Sequence, residues 1–292
     1  MIVHLVDGTY ELFRQFYGQQ ARHAEPSSRP FDAARGVVDE CLRMLESGAT
    51  HLGVATDHVI ESFRNDLWAG YKTGEGVDPT LKAQFEPLEE ALAALGVAVW
   101  PLVEFEADDG LAAAAAVAAA DDRVDMVVIW TVDKDLGQCV GGKVVQHDRK
   151  NAKMLDPDAV REKFGVSPES IPDYLALVGD SADGFPGLPG WGAKSAGAVL
   201  RRYGTIESIP DDVTAWDVDG VRGAAKLAAT LATGRDVAER FKVLATLRTD
   251  VPVGTVDDWE WRGPTPELKA WAERFEAPHI AERAAKLNAA RG

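Results

Sequence analysis

The sequence has few cysteines, no long apolar run and a shortage of basic residues, and each shortage bears on the class of protein. Only two of the 292 residues are cysteines, Cys41 and Cys139, and they lack metal-ligand spacing. We expect them to be reduced thiols rather than a disulfide framework. No apolar run approaches the roughly 20 residues that span a bilayer. The first residues, MIVHLVDG, lack a basic leader and a cleavage site, so we expect a cytoplasmic protein with no membrane partner.

Basic residues are outnumbered by acidic ones, 31 against 47, which gives a formal net charge of −16. Taken alone, this balance argues against nucleic-acid binding, because proteins that bind phosphates are usually basic over the binding face. A second interpretation stays open, in which metal ions neutralise some of the acids. The length is sufficient for one large domain or two smaller ones, each with a substantial core.

Short β-branched, apolar runs alternate with helical patterns along the first half of the chain. The runs predict buried strands at 1–6, 51–56, 97–103 and 126–132, with helices that include 33–46 and 86–95. Such alternation predicts an α/β fold with a parallel sheet flanked by helices. Beyond residue 148 the pattern changes to short helices broken by glycine and proline. We therefore place a boundary near 165–175, with a catalytic domain at 1–170 and a helical region at 171–292.

Acidic residues follow each of the four predicted strands. The carboxyl ends of parallel strands lie at one edge of a sheet, where such folds place their sites. A further pair, Asp180 and Asp183, has the spacing of one helical turn. The residues that we expect to converge are Asp7, Asp57, Glu106, Asp108, Asp109, Asp133, Asp135, Asp180 and Asp183.

Two explanations of these acids stay open at any single position. An aspartate after a strand often caps the next helix, but four strands in succession make that explanation poor. Like charges gathered at one edge repel each other unless a cation lies among them. Oxygen ligands without histidine or cysteine indicate Mg²⁺ or Mn²⁺. Two such ions about 3.5–4 Å apart would support phosphodiester hydrolysis.

The segment GFPGLPGWGAKSAGAVLRRYG, at 184–204, predicts a glycine-rich hairpin followed by a helix that starts near Ala193. Gly187, Gly190 and Gly192 permit unusual backbone conformations, and the helix start exposes N–H groups to an anion. This pattern is typical of a helix–hairpin–helix, which holds a DNA backbone without reading bases. A plain glycine-rich loop between two helices is the alternative.

The segment SFRNDLWAGYKTGEG, at 62–76, places rare basic residues just past Asp57. Arg64 and Lys72 could hold or polarise a phosphate, and Tyr71 could stack on a base. The alternative is that Lys72 is a solvated surface lysine and Tyr71 a core residue.

Several segments together resemble the bacterial 5′ nuclease family, which comprises flap endonucleases and the 5′–3′ exonuclease domain joined to DNA polymerase I. The segments are LVDGTYELFRQFYG, SFRNDLWAGYK, FEADDGLA, TVDKDL, LVGDSADGFPGLPGWGAKSA and LATLRTDVP. The resemblance implies a PIN-like core with a C-terminal helical DNA-binding region. It also implies divalent-metal hydrolysis of DNA at 5′ flaps, nicks and 5′ ends, in replication or repair. No polymerase domain follows in this sequence, so we expect a stand-alone form. The sequence does not determine the oligomeric state, and a monomer is the expectation.

The resemblance assigns roles to individual residues. The nine acids above match the metal-site acids, with Asp109 and Asp133 among the catalytic groups. Lys72 matches a lysine that contacts the scissile phosphate, and Tyr71 matches its stacking neighbour. The hairpin, with Lys194 and Ser195 at its end, matches the element that holds the downstream duplex, often with a bound K⁺. Residues 73–85 match a mobile arch over the 5′ strand.

The chain departs from the family pattern at two positions. Gly184 replaces the usual asparagine after the last metal-site aspartate, and we expect a looser turn there. Glu75 replaces a usual basic residue in the arch, and we expect weaker binding of the 5′ strand. The alternatives to a DNA 5′ nuclease are a PIN-type ribonuclease, a non-catalytic branched-DNA-binding protein and a metal-dependent phosphatase for small substrates.

Overall fold

The computed structural model describes residues 1–20, 31–149 and 151–291, and the chain divides into two compact units. The first unit comprises Met1–Ile60, Gly74–Thr131 and Thr249–Gly292, and the second comprises Glu61–Thr73 and Val132–Arg248. The units are therefore interleaved along the chain, which differs from the predicted contiguous division at residue 170. The C-terminal segment belongs to the first unit because Trp261, Trp271 and Phe275 are buried in its core.

The strands are β1 (Ile2–Asp7), β2 (His51–Asp57), β3 (Ala98–Leu102), β4 (Met126–Trp130), β5 (Val144–Asp148) and β6 (Lys153–Leu155). The α-helices are α1 (Gly8–Gln20), α2 (Asp32–Glu46), α3 (Arg64–Leu67), α4 (Pro79–Lys82), α5 (Phe85–Leu95), α6 (Ala107–Ala120), α7 (Pro157–Phe164), α8 (Ile171–Val178), α9 (Ala193–Tyr203), α10 (Ala224–Ala245), α11 (Glu267–Arg274) and α12 (Pro278–Arg291). Short 3-10 helices lie at Asp135–Cys139, Pro168–Ser170, Ile206–Ser208, Val213–Ala215 and Val256–Trp259.

The first unit contains a parallel sheet in the order β3-β2-β1-β4. All four strands were predicted from their β-branched runs, with ends that shift by a few residues. Asp7 pairs in register with Ala55, and Asp57 pairs with Leu102, so the carboxyl ends of these strands lie at one edge. This arrangement confirms the predicted α/β class with a parallel sheet flanked by helices.

The alanine-rich helix α6 packs closely against the sheet of the first unit. Its residues Ala112 to Ala115 are buried, and an added Cβ at Gly110 would lie 3.3 Å from the Leu102 side chain. Small side chains therefore let the helix approach the strands, which explains its composition in terms of packing. The close approach also brings the acidic start of α6 to the edge at which the strands end.

The second unit has its own core, built around helices α8, α9 and α10. The antiparallel pair β5–β6 belongs to this unit and was not predicted. The predicted hairpin and the helix start at Ala193 are confirmed, since α8, the hairpin and α9 follow one another in the chain. Within the described residues, no helix is long and apolar enough to cross a membrane.

The segment predicted as a mobile arch, 73–85, is only partly an exposed loop. Leu81 and Phe85 are buried in the core of the first unit, and the Gln84 side chain accepts a hydrogen bond from the Ala34 N–H at 3.0 Å. These apolar and amide contacts anchor the second half of the segment. The part before Pro79 is a loop, whereas the part from Pro79 onward contains α4 and the start of α5.

Candidate active site

Two of the predicted metal-site acids end strands in the first unit and form hydrogen bonds at helix starts. The Asp7 carboxylate accepts hydrogen bonds from the Tyr10 N–H at 2.8 Å and from the Thr131 hydroxyl at 2.9 Å. Asp57 Oδ1 accepts from the Ala107 N–H at 2.7 Å. These bonds satisfy N–H groups that a helix start leaves unpaired, so capping accounts for part of the role of both acids.

The acids in front of α6 form a capping box. The Glu106 N–H donates to Asp109 Oδ2 at 3.0 Å, and both side chains are buried. Asp108 is partly exposed in the same turn. Because Asp57 caps this helix as well, the start of α6 holds Asp57, Glu106 and Asp109 together within one unit. The helix dipole favours negative charge at this end.

The second unit brings three acids to one point. Carboxylate oxygens of Asp135, Asp180 and Asp183 all lie within 4.8 Å of one another. Asp135 starts a 3-10 helix, and its N–H donates to Asp133 Oδ1 at 2.9 Å. The spacing of Asp180 and Asp183 had indicated a helix, but the two residues lie on a turn after α8. That turn is closed by paired backbone bonds between Asp180 and Phe185 at 2.8 and 3.0 Å.

Burial and like charges raise the pKa of Asp135 well above its usual value. Burial of the carboxyl is the larger cause, and the negative charges of Asp133, Asp183 and Asp180 add to it. The Lys134 ammonium lies 2.6 Å from Asp180 Oδ2. Burial, the largest single cause, lowers the pKa of Lys134, but the hydrogen bond to Asp180 and the negative charges of Asp180, Asp135 and Asp133 together outweigh it, so the pKa is raised. A cation therefore already lies among these acids.

Lys72 contacts the same cluster. Its ammonium lies 3.0 Å from Asp183 Oδ1, and its backbone N–H donates to the Asp183 carbonyl at 3.0 Å. The Asn65 side chain donates to the Lys72 carbonyl at 2.9 Å. Lys72 is thus fixed at both its backbone and its ammonium, which differs from a freely solvated surface lysine. The structure brings together the two features that the sequence had placed in separate segments.

The turn that holds Asp183 is tight, in contrast to the looser turn expected from Gly184. Gly184 has φ +83°, and its carbonyl accepts a hydrogen bond from Trp68 Nε1 at 3.1 Å. A Cβ at this position would lie 2.0 Å from the Gly70 carbonyl oxygen. Glycine therefore allows the segment before Lys72 to approach the Asp183 turn directly.

We expect Gly184→Ala to destabilise the protein more than Gly204→Ala, a matched control. Gly204 also has a positive φ, +78°, but no atom lies near its added Cβ. Each substitution incurs about 1–2 kcal/mol of left-handed backbone strain. In Gly184→Ala alone, displacement of the neighbouring backbone destabilises the folded protein by about a further 1–3 kcal/mol. Urea unfolding of both variants measures the difference, and equal losses would show that the close approach has no energetic consequence.

Two residues predicted to bind DNA are instead buried in the second unit. The Arg64 side chain is 1% exposed, and its Nε donates to the Leu244 carbonyl at 2.7 Å near the end of α10. The helix dipole favours a cation at this end, so Arg64 is a structural residue and not a phosphate ligand. Tyr71 is 4% exposed and belongs to the core. A buried ring has no face for a base, so the core interpretation of Tyr71 replaces the stacking one.

We expect Arg64→Met to lower the free energy of unfolding by about 2–4 kcal/mol, because hydrogen bonds to a buried charged group are lost. The salt dependence of DNA binding should not change. Lys194→Ala is the contrasting variant, since Lys194 is exposed at the start of α9. We expect it to leave stability unchanged and to reduce the salt slope by about 0.9. A reduced salt slope in Arg64→Met without lost stability would restore the phosphate interpretation.

The hairpin of the second unit ends in a well-formed helix start. Gly187 and Gly190 have φ of +68° and +86°, and Gly192 precedes the first turn of α9. The Ser195 hydroxyl accepts from the Gly192 N–H at 3.1 Å. A cavity of about 610 Å³ lies at this point, with Lys194 and Arg222 among its lining residues. Two cations beside a helix N-terminus suit an anion such as a phosphate.

The donor atoms of the three-carboxylate cluster fit a divalent metal ion. All are carboxylate oxygens, which Mg²⁺ and Mn²⁺ prefer. Asp135 Oδ1 is buried and has no hydrogen-bond partner among the described residues. A buried oxygen of this kind costs free energy unless a donor or a cation satisfies it. The cluster is therefore suited to hold a cation in addition to the ammonium groups of Lys72 and Lys134.

Sequence reasoning missed several residues that support the site. Lys134 lies between Asp133 and Asp135, so the sequence did contain a signal for it. Gln146, on β5, donates from Nε2 to the Asp133 carbonyl at 2.5 Å, and Thr131 bonds to Asp7 as described above. Neither has a sequence signal, because each contact joins residues more than ten positions apart.

Comparison with known proteins adds family information to this geometry. A model of the 5′–3′ exonuclease N-terminal resolvase-like domain matches residues 2–165, and a model of the 5′–3′ exonuclease C-terminal SAM fold matches residues 166–267. The chain is 36% identical to DNA polymerase I of Pseudomonas aeruginosa over 262 residues, or 85% of this chain and 27% of the polymerase. It is 32% identical to DNA polymerase I of Bacillus caldotenax over 95% of this chain and 33% of that protein. The chain thus spans about a quarter to a third of these relatives.

Solved structures share the fold at lower identity. The T5 D15 protein, crystallised with metal ions, is similar with a TM-score of 0.71 and 20% identity, covering 96% of this chain and 100% of that one. The catalytic core of Rad2 in complex with DNA substrate is similar with a TM-score of 0.59 and 15% identity, covering 97% of this chain and 91% of that one. These likenesses extend over both compact units.

Proposed function

The chain belongs to the 5′–3′ exonuclease family of metal-dependent 5′ nucleases, and from that premise we propose that it hydrolyses DNA phosphodiesters at 5′ flaps, nicks and 5′ ends, in replication or repair. The observation that carries the proposal is the cluster of Asp135, Asp180 and Asp183, with Lys72 fixed against it. A carboxylate cluster with a fixed ammonium suits the hydrolysis of a phosphodiester, in which negative charge develops on the phosphate oxygens.

We propose Mg²⁺ or Mn²⁺ as the cofactor, with two or more ions. In the second unit Asp133, Asp135, Asp180 and Asp183 would hold metal. In the first unit the metal ligands would be Asp7, Asp57, Glu106, Asp108 and Asp109. When bound, such ions polarise the phosphate and lower the pKa of water. Asp135 Oδ1, which is buried and has no hydrogen-bond partner among the described residues, supports this assignment.

Lys72 would act on the scissile phosphate directly. Its ammonium is held by Asp183 and its backbone by the turn, so it can donate to a phosphate oxygen with little reorganisation. Asp109 and Asp133 would act through the ions that they hold. The capping bonds of Asp109 and the Gln146 contact to Asp133 keep both acids in place.

The hairpin and α9 would hold the duplex by its backbone. The exposed start of α9, with Gly187, Gly190, Gly192, Lys194 and Ser195, suits a phosphate, and the hairpin would hold a K⁺ ion that adds positive charge beside the DNA backbone. The acidic net charge does not oppose this, because the cations at the hairpin are local. We expect the active form to be a monomer, which light scattering of the DNA-free and DNA-bound protein would check.

The decisive experiment maps the cleavage products of end-labelled substrates. Flap, nicked, gapped and blunt DNA, together with a matched single-stranded RNA, are incubated with the protein in Mg²⁺, in Mn²⁺ and in EDTA. We expect cleavage near the flap junction and at nicks, stopped by EDTA and weak on RNA. Faster RNA cleavage would favour a PIN-type ribonuclease. Binding of the branched DNA without cleavage in either metal would favour a non-catalytic role.

A further inference from the structure

Two segments of the second unit line the cavity at the start of α9. The first is the hairpin with the beginning of α9, which supplies Lys194. The second is residues 220–222, which lie just before α10 and supply Arg222. We call residues 213–222 the wall loop. No role of this loop was predicted from the sequence, yet it contributes one of the two cations that line the cavity.

The wall loop is attached to the end of α9 by hydrogen bonds. The Tyr203 hydroxyl donates to the Ala215 carbonyl at 3.2 Å and accepts from the Asp217 N–H at 2.9 Å. The Asp217 carboxylate accepts from Arg202 Nε at 3.0 Å. Because α9 carries Lys194 in its first turn and these contacts in its last, one helix helps to place both lining cations.

Apolar contacts attach the wall loop to the hairpin and to the core. The ring of Trp216 lies 6.1 Å from that of Trp191 in the hairpin, and Trp216 Nε1 donates to the Pro210 carbonyl at 2.7 Å. Val221 packs against the core of the second unit. Arg222 directly follows this packed residue, so the backbone that carries its guanidinium is held in place before any ligand binds.

The two lining cations are not neutralised by acids of the protein. Elsewhere in the unit a basic side chain is paired, as Arg235 is with Asp211 at 2.6 Å. Within the part of the chain that the structure describes, Lys194 and Arg222 form no ion pair. Asp219 of the wall loop is exposed and does not line the cavity. The cavity is therefore a local positive site in a chain with 47 acidic and 31 basic residues, and it suits an anion.

We propose that Arg222 binds a phosphate of the DNA duplex, so that the wall loop is a second backbone contact beside the hairpin. The inference rests on the proposed function, in which the hairpin and α9 hold the duplex. The planar guanidinium of arginine can donate two parallel hydrogen bonds to a phosphate. Lys194 and Arg222 line the same cavity, so they contact the same stretch of backbone, one phosphate each. A phosphate contact reads no base, so it does not depend on the DNA sequence.

Arg222→Ala tests the contact through the salt dependence of binding. We expect the dissociation constant for blunt duplex DNA in Ca²⁺ to rise about fivefold at low salt. The log–log salt slope should fall by about 0.9, as for one phosphate. Two duplexes of different sequence should respond equally. Arg222→Lys keeps the charge and loses the planar fork, so we expect the wild-type slope with an intermediate affinity.

Arg240→Ala is the matched control for Arg222→Ala. It removes an exposed arginine of α10 that does not line the cavity and forms no ion pair within the described ranges. We expect wild-type binding for Arg240→Ala, and wild-type stability to urea for both variants. Wild-type affinity and slope in Arg222→Ala would overturn the proposal. An equal loss in Arg240→Ala would assign the effect to net charge and would overturn it as well.

Two further variants test the separate contact and the fixed wall loop. The double variant Lys194→Ala/Arg222→Ala should lose about 1.8 in salt slope, whereas a loss of about 0.9 would contradict a separate phosphate for Arg222. Tyr203→Phe keeps both cations and removes the hydroxyl that holds the loop. We expect it to bind duplex about twofold more weakly with an unchanged slope, and wild-type affinity would contradict a positioning role of Tyr203.

The cleavage assay separates this inference from the proposed function. Normal flap cleavage by wild type, with unchanged duplex binding by Arg222→Ala, would refute only the inference. Absence of cleavage by wild type, with the expected loss of salt slope in Arg222→Ala, would refute the nuclease function and leave the duplex contact established.

Discussion

Asp135→Asn is expected to abolish metal-dependent cleavage while leaving the fold intact. The side chain is buried, and its Oδ1 has no hydrogen-bond partner among the described residues, so it is the oxygen best placed to ligate a cation. Asparagine keeps the shape but removes the charge that the ion requires. Metal activation contributes several kcal/mol to phosphodiester cleavage, so we expect a rate loss on the order of 10³-fold or more. Single-turnover cleavage of a labelled flap in Mg²⁺ measures it.

The same variant should be at least as stable as wild type without metal. The pKa of Asp135 is raised in the folded protein from its ordinary value of 3.8, so the folded state binds this proton more tightly than the unfolded state. Stability therefore falls as pH rises from the unfolded pKa through the folded pKa, and it stays reduced above that. Asparagine does not titrate and avoids this loss. Thermal unfolding in EDTA at neutral pH should give a melting temperature equal to or above that of wild type.

Added metal should reverse the order of stability. An ion that binds only the folded state stabilises it in proportion to RT ln(1 + [M]/Kd), so wild type gains and Asp135→Asn gains less. Asp219→Asn is the control, since Asp219 is exposed and outside the cluster. We expect Asp219→Asn to match wild type in the rate of flap cleavage and in the rise of melting temperature on addition of Ca²⁺. Near-normal turnover of Asp135→Asn would show that the metal site does not depend on this cluster.

The parallel sheet and its acidic edge could be predicted because the signals are local. Each strand is a short β-branched run, and Asp7 and Asp57 lie at strand ends, where the sheet geometry fixes their position. The hairpin could be predicted for the same reason, since its glycines and the helix start at Ala193 occupy one continuous segment. Both features depend on residues that are close together in the chain and need no distant partner.

The features that the sequence did not reveal depend on distant partners. Arg64 has the sequence context of a phosphate ligand, but its acceptor, the Leu244 carbonyl, lies 180 residues away. The sequence pattern placed the C-terminal residues in the second domain, but Trp271 Nε1 donates to the Pro87 carbonyl at 3.0 Å in the first unit. Charge and composition cannot show which of two environments a side chain enters. Only the packed structure distinguishes an exposed arginine from one that donates hydrogen bonds to the carbonyl groups at the end of a helix.

The local position of a charge also does not reveal its partner. The sequence placed Lys72 near Asp57, but the structure pairs it with Asp183 through both ammonium and backbone. The turn containing Gly184 makes this pairing possible, because only glycine leaves room for the Gly70 carbonyl. The departure from the family pattern at Gly184 therefore supports the site and does not weaken it.

Lys72→Ala is expected to slow the chemical step much more than it weakens DNA binding. The Lys72 side chain is 27% exposed and its ammonium lies 3.0 Å from Asp183 Oδ1, so the ammonium is pre-positioned for charge that develops on the phosphate in the transition state. Interactions that strengthen in the transition state appear in turnover rather than in affinity. We expect the single-turnover rate to fall by about 10²–10³-fold. The dissociation constant for flap DNA in Ca²⁺ should change by only about threefold, as for one ionic contact.

The affinity for metal shows whether the lower rate of Lys72→Ala comes from a slower chemical step or from a lost metal ion. Removal of the ammonium leaves Asp183 with one cation fewer, so Lys72→Ala should bind Ca²⁺ at least as tightly as wild type, by calorimetric titration. A slower reaction at equal or tighter metal binding cannot result from a lost ion. Lys269→Ala, which removes an exposed lysine on α11, controls for net charge and should behave as wild type in all three measurements. A normal rate with weakened binding would instead make Lys72 a backbone contact, and the phosphate charge would then have to be stabilised by the metal ions and Lys134.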